Sequence, residues 1–177
     1  MSLCSLTLYT QYNSVGSIHA ELIEALTSLG FIGDPLHASQ FLTGPHFFKY
    51  ITFLGCAPSI PVLPAQGPQF IRVSIPALTK PGLFAGSRAP APLCSSCKHA
   101  LDNWKQDIER SENDEITCPR CQASTAVSYL NLRKRACFSQ NIVRIEPIFE
   151  SEALPANGLL ETLNKEFDAR FAYAYIA

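Results

Sequence analysis

The chain has 177 residues, 47% of them hydrophobic and 16% charged, against about 25% charged in an ordinary domain. That length admits one well-buried core plus a small appendage, and the thin charge fits either surface hidden against a partner or a second copy, or a compact fold rich in Pro and Ser loops. With 14 basic and 15 acidic residues the net charge is −1, which excludes a global field drawing the protein to nucleic acid or to an acidic membrane.

Residues 1 to 10 hold neither a positive leader nor an unbroken apolar run. No stretch approaches the roughly 18 apolar residues of a membrane span, so a soluble, cytoplasmic protein with no membrane partner is expected. Cys4, Leu6 and Leu8 alternate with Ser5, Thr7 and Tyr9, the period of a half-buried strand over 3–10. Ile18, Leu22, Ala25 and Leu29, joined by Ile23 and Leu26, then recur at helical spacing. This predicts a helix from Ser17 to Leu29, capped by Ser17 and ended by Gly30 in a left-handed turn, with Phe31 folding back on Leu26. A loop holding Asp34, Pro35, Gly44 and Pro45 leads to an apolar run, Phe47 to Leu54, that reads as a central strand. Prolines and glycines from Gly55 to Pro68 impose an irregular connection, and Ile71, Val73 and Ile75 alternate with Arg72 and Ser74 in another strand. The stretch from Pro76 to Pro92 is too rich in proline and glycine for a long helix and reads as a hinge.

Beyond the hinge stand Cys94, Cys97, Cys118 and Cys121, two C-x-x-C pairs separated by twenty residues. Each pair turns two sulfurs toward one spot, and the span between them is long enough to fold back, so the four supply a tetrahedral thiolate shell for one Zn2+. Seven cysteines in all, an odd number, fit a reducing compartment rather than a disulfide scaffold. Cys118-Pro119-Arg120-Cys121 resembles the C-P-x-C knuckle of zinc ribbons and rubredoxins, and Cys94-Ser95-Ser96-Cys97 resembles its partner. The likeness to the zinc-ribbon class covers about residues 92 to 132, and many ribbon knuckles carry glycine where Lys98 and Gln122 stand here. The resemblance implies a structural metal. His99 could contact a thiolate, but four cysteines make a fifth ligand unnecessary. Trp104, the sole tryptophan, reads first as the apolar lid of the metal hairpin and otherwise as an exposed interface anchor.

Val127 to Leu132 should form the returning strand of the metal hairpin and Asn141 to Phe149 a further strand. Leu159, Leu160, Leu163 and Phe167 mark a second short helix, and Phe171, Tyr173 and Tyr175 a closing strand. The expected fold is α+β: two helices on a mainly antiparallel sheet, distantly ferredoxin-like, with residues 1–89 and 133–177 as the core domain and 90–132 as an inserted zinc ribbon.

No other constellation carries chemistry. His46 and Cys56 lie at opposite ends of the run expected as one strand, too far apart for a nucleophile and its base, although His19 or His37 could fold in. Cys4 and Cys137 read as core residues. Glu146, Glu150 and Glu152 read as a solvated edge. Phosphate-binding, dinucleotide, zinc-protease and serine-hydrolase signatures are absent, so no catalytic residue is assigned. The expected function is a non-enzymatic zinc-binding protein whose ribbon serves protein–protein interaction or oligomerisation. The alternative is a nucleic-acid-binding ribbon using Lys98, Lys105, Arg120 and Arg133 to Arg135, with Trp104 as a stacking platform.

Overall fold

Strict alternation at the start of the chain places Leu6 and Leu8 on one face of a strand and Ser5, Thr7 and Tyr9 on the other. In the computed structural model, which describes residues 2–12, 15–55 and 57–177, this segment is β1 (Leu3–Thr10). It lies inside a six-stranded sheet of order β12-β1-β10-β5-β3-β2, every neighbouring pair antiparallel. The partners are β2 (Ile32–His37), β3 (Gln40–Thr43), β5 (Arg72–Ser74), β10 (Ile142–Phe149) and β12 (Phe171–Ile176). Leu6 stands opposite Ile145 and Tyr175, and Leu8 opposite Val143 and Tyr173, so one face of the sheet is apolar across three strands.

Two helices cover that face. In α1 (His19–Ser28) Leu22 and Leu26 are buried, and in α4 (Asn157–Phe167) Leu159 and Leu163 are buried, all in one core with Leu6, Val73 and Ile145. Each such leucine contributes about 1.5–3 kcal/mol by leaving water. α1 ends as its sequence predicts: Gly30 takes φ 66°, its amide donates to Thr27 O at 2.9 Å, and the Phe31 amide donates to Leu26 O at 2.9 Å. Its start differs, because Ser17 does not cap it. Instead the Ile18 amide donates to the Asn141 side chain at 3.0 Å, from the strand end beside it.

The opposite face carries Ser5, Thr7 and Tyr9, with Ser5 Oγ 3.1 Å from Thr7 Oγ1, and at the end of the strand Thr10 Oγ1 lies 2.9 Å from Ser139 Oγ. Ser139 belongs to β9 (Ala136–Ser139), which pairs with β6 (Gly82–Ala85) in a two-stranded ladder at the base of the cysteine-bearing segment.

The α+β class and the antiparallel sheet are those expected, but the helices among the described residues number four. Phe47 to Leu54 is not a central strand: α2 (Phe47–Tyr50) is a single helical turn that buries Phe47 and Tyr50, followed by β4 (Ile51–Phe53). An unbroken apolar run cannot distinguish strand from buried helix, and side chains three apart share a helical face. β4 pairs with β11 (Ala153–Pro155), outside the main sheet. The loop expected after α1 is the β2–β3 hairpin, with Pro35 tolerated because β2 is the sheet edge. The hinge contains β6, and Val127–Tyr129 is a short 3-10 turn rather than a returning strand.

Candidate metal centre

The segment between β6 and β9 carries its own small core. α3 (Trp104–Arg110) turns Trp104 and Ile108, four apart, toward Leu101, Ile116, Val127 and Phe138. Trp104 is 2% exposed, so it is the lid of this unit and not an exposed anchor. Lys105 donates from Nζ to Gly86 O at 2.6 Å, tying α3 to the residue after β6.

Two tight turns flank α3. The first is closed by the Cys94 amide donating to His99 O at 2.8 Å and the Lys98 amide donating to Cys94 O at 3.0 Å. The second repeats the pattern: Cys118 N–H to Ala123 O at 2.9 Å and Gln122 N–H to Cys118 O at 2.9 Å. This second turn joins β7 (Glu115–Thr117) to β8 (Ser124–Ala126). Lys98 and Gln122, where ribbon knuckles commonly hold glycine, both adopt positive φ, 60° and 61°.

The turns bring all four sulfurs within 4.8 Å of one another. Cys94 Sγ lies 3.7 Å from Cys121 Sγ, and Cys97 Sγ lies 3.7 Å from Cys118 Sγ. A disulfide would need about 2.05 Å, and none is formed. A tetrahedron of thiolates around an ion at about 2.3 Å has edges of about 3.8 Å, so the donor set fits a four-coordinate, thiolate-bound cation with no position left open.

Electrostatics prepare the sulfurs unequally. The Cys97 amide, and then the Ser96 amide, hold the Cys94 thiol down to about 6 against the opposing effect of desolvation. The Cys121 and Arg120 amides likewise lower Cys118. At Cys121 the Ala123 amide favours the thiolate, but the crowding sulfurs of Cys97, Cys94 and Cys118, together with desolvation, push it up to about 12. All four sulfurs can be thiolates at such spacing only with a cation between them.

His99 enters through its carbonyl, and its ring is not in the converging set. Cys56 lies outside the described residues. His46 Nδ1 sits 3.2 Å from Leu29 O, and His19 Nε2 sits 2.9 Å from Ile75 O. Burial pushes the Cys4 thiol up to about 11, with Glu150 adding to it, and the Cys137 thiol up to about 12. The three carboxylates are each engaged separately: Glu150 by Arg135, Glu146 by Arg144 at 2.8 Å, and Glu152 by the amides of Ser59 and Phe149. Of the expected basic face, Arg133 and Lys134 are exposed beside the metal unit, while Lys105 is tied to Gly86. Sequence reasoning did not bring Tyr12, Tyr129 and Arg170 to that place; they come from three distant segments, and only the fold joins them.

No protein-family model, no curated protein and no solved structure matches this chain. Among the described residues, no helix is long and apolar enough to cross a membrane.

Proposed function

We propose that this chain is a non-enzymatic zinc-binding protein in which residues 90–132 form a Cys4 zinc ribbon that acts as a structural arm of an α+β binding module. The observation that carries this is the meeting of sulfurs from opposite knuckles at 3.7 Å, the edge of a thiolate tetrahedron. Zinc suits four thiolates and has no redox chemistry, and a closed shell leaves no site for a substrate or an activated water. The ion adds to the small core around Trp104 and Ile108 the folding free energy that so short a segment needs. The path β1-α1-β5-β10-α4-β12, with order β12-β1-β10-β5, supports a ferredoxin-like core to which the β2–β3 hairpin is an edge addition.

Elemental analysis of the purified protein tests the reading. One zinc per chain is expected, lost on conversion of Cys97 and Cys118 to serine. Iron, or no stoichiometric metal, overturns it.

A protein partner or a second copy is a second reading of the module. Phe48 is 55% and Leu54 62% exposed, and the Phe48 ring lies 6.0 Å from Phe53, an apolar patch on the core far from the metal in sequence. A dimeric mass in light scattering that becomes monomeric on Phe48→Ser would support it; a monomer at all concentrations would remove the homo-oligomer.

A further inference from the structure

Two cavities, of about 450 and 400 Å³, adjoin along the segment that supplies Tyr129, Leu130, Asn131 and Arg133 to both. Together they form a groove from the first knuckle, at Cys94 and Lys98, to the outer strand of the main sheet at Phe171 and Tyr173. We propose that this groove binds single-stranded nucleic acid, with bases stacking on tyrosine and phosphates following a row of cations. The inference rests on the reading of the metal unit as a folded arm, since that unit and the turn leaving it form one wall.

Charge is the first argument. Acidic residues outnumber basic ones in the chain, 15 to 14, yet no Asp or Glu lines either cavity, while Lys98, Arg133, Lys134 and Arg170 do. A protein with no global positive field has thus gathered four cations, free of carboxylates, in one concave strip, where low-dielectric walls concentrate their field on an anion. Arg133 and Lys134 are presented by two successive residues at positive φ, 52° and 56°, a bend that turns this basic pair out beside the sheet edge. The thiolate shell, which keeps a net negative charge around a divalent ion, lies at the other end, so phosphates are drawn to the Arg133, Lys134 and Arg170 side.

Aromatic rings are the second. Tyr129 is 69% and Tyr12 38% exposed, their centroids 5.0 Å apart and planes 32° from parallel. Arg170 stands 5.9 Å over the Tyr12 ring and Lys134 4.0 Å over the Tyr173 ring, its Nζ also donating to Tyr173 Oη at 2.7 Å. Tyr129 thus keeps most of its ring in solvent beside two rings that carry cations, an arrangement that suits an unpaired base on a phosphate backbone. A duplex hides its base faces, so it has no use for Tyr129. An acidic peptide would use the cations but not the rings. Trp104, buried as a lid, takes no part.

The test is fluorescence anisotropy of labelled twelve-residue oligo-dT and oligo-U with the full, metal-loaded chain at about 50 mM salt, where phosphate contacts are strong. Binding is expected, falling with salt. Tyr129→Ala should weaken it about 5- to 100-fold, the loss of one stacked base. Lys134→Glu with Arg170→Glu should weaken it and flatten the salt dependence by about 0.7 in log–log slope per lost phosphate contact. DNA and RNA arms show which strand is preferred, and binding of either supports the proposal. It is overturned by no binding of either strand, by a duplex bound as tightly as a single strand, or by Tyr129→Ala without effect. Polyglutamate displacing the strands with equal affinity also overturns it, since the groove is then a plain anion patch. Zinc content and thermal melting of each preparation separate the two readings. Stoichiometric zinc and an unshifted melt without binding sink the groove alone, whereas binding without zinc sinks the zinc arm.

Discussion

Lys98 and Gln122 occupy equivalent places in the two cysteine turns and share one backbone conformation, φ 60° and 61°. The left-handed region costs a residue with a Cβ about 1–2 kcal/mol, while glycine enters it freely but loses more entropy on folding. Gln122→Gly should therefore change stability by less than about 1 kcal/mol in either direction, although it also removes the Gln122 Nε2 bond to Pro119 O at 3.1 Å. Gln122→Val, branched at Cβ, should be clearly worse. Thermal melting of the metal-loaded variants checks the order: glycine near wild type, valine well below it.

Metal affinity should fall as the solution is acidified, with a sign set by the thiols. Cys94 is held at about 6, so it is ready to bind near neutrality, and Cys118 is held below its ordinary value, whereas Cys121 at about 12 must lose its proton to solvent as the ion binds. Binding thus releases protons, and lowering the pH opposes it, most steeply once Cys94 itself is protonated below about 6. Chelator competition at several pH values, with proton release followed by an indicator dye, measures both. Affinity that is flat between pH 8 and pH 5, a window of about three units spanning the lowered thiol, would contradict the thiolate site.

The two C-x-x-C pairs and the strands β1, β10 and β12 were legible because spacing and alternation are local. A knuckle needs only four residues, and Leu6 and Leu8 report their buried face without reference to any neighbour. The α1 stop was legible for the same reason, since Gly30 and Phe31 complete a motif within one turn. Pairing was not. β4, β6, β9 and β11 are three or four residues long, and each is a strand only because a distant segment lies beside it. Phe47 to Tyr50 gave no period to read. Leu101, Trp104 and Ile108 did carry helical spacing, and that signal for α3 lay hidden beneath the polar residues between them. The groove was the least legible feature, because Tyr12, Tyr129 and Arg170 stand more than a hundred residues apart at their extremes and share no motif.

Trp104, the sole tryptophan, makes the metal unit its own reporter. Buried at 2% exposure among Leu101, Ile108 and Ile116, its indole should emit in the blue and resist acrylamide. Removing the metal takes away the constraint that joins the two turns, so emission should shift to the red and quenching should rise, while far-ultraviolet dichroism of the main sheet changes little. Trp104→Ala should cost about 3–5 kcal/mol within the unit, and Trp104→Phe appreciably less. An indole already quenched in the loaded protein would show that the lid is open.

Cys137 and Cys4 should behave unlike the other thiols. Cys137 is wholly buried on β9, its thiol pushed up to about 12 by burial, and Cys4 is pushed up to about 11. Because both folded values lie above the ordinary 9.0, the neutral thiols favour the folded state fully below pH 9, and that contribution is lost as pH rises toward 11 and 12. The protein should therefore lose stability on the alkaline side over that window, and Cys137→Ala should lessen the loss. At pH 8, about one unit below the ordinary thiol value, neither residue should react with iodoacetamide in the native chain. Cys94, Cys97, Cys118 and Cys121 should react only after chelation, and peptide mapping by mass spectrometry distinguishes the two groups. Labelling of Cys137 in the loaded, folded protein would mean that β9 does not seal the polar face of the sheet.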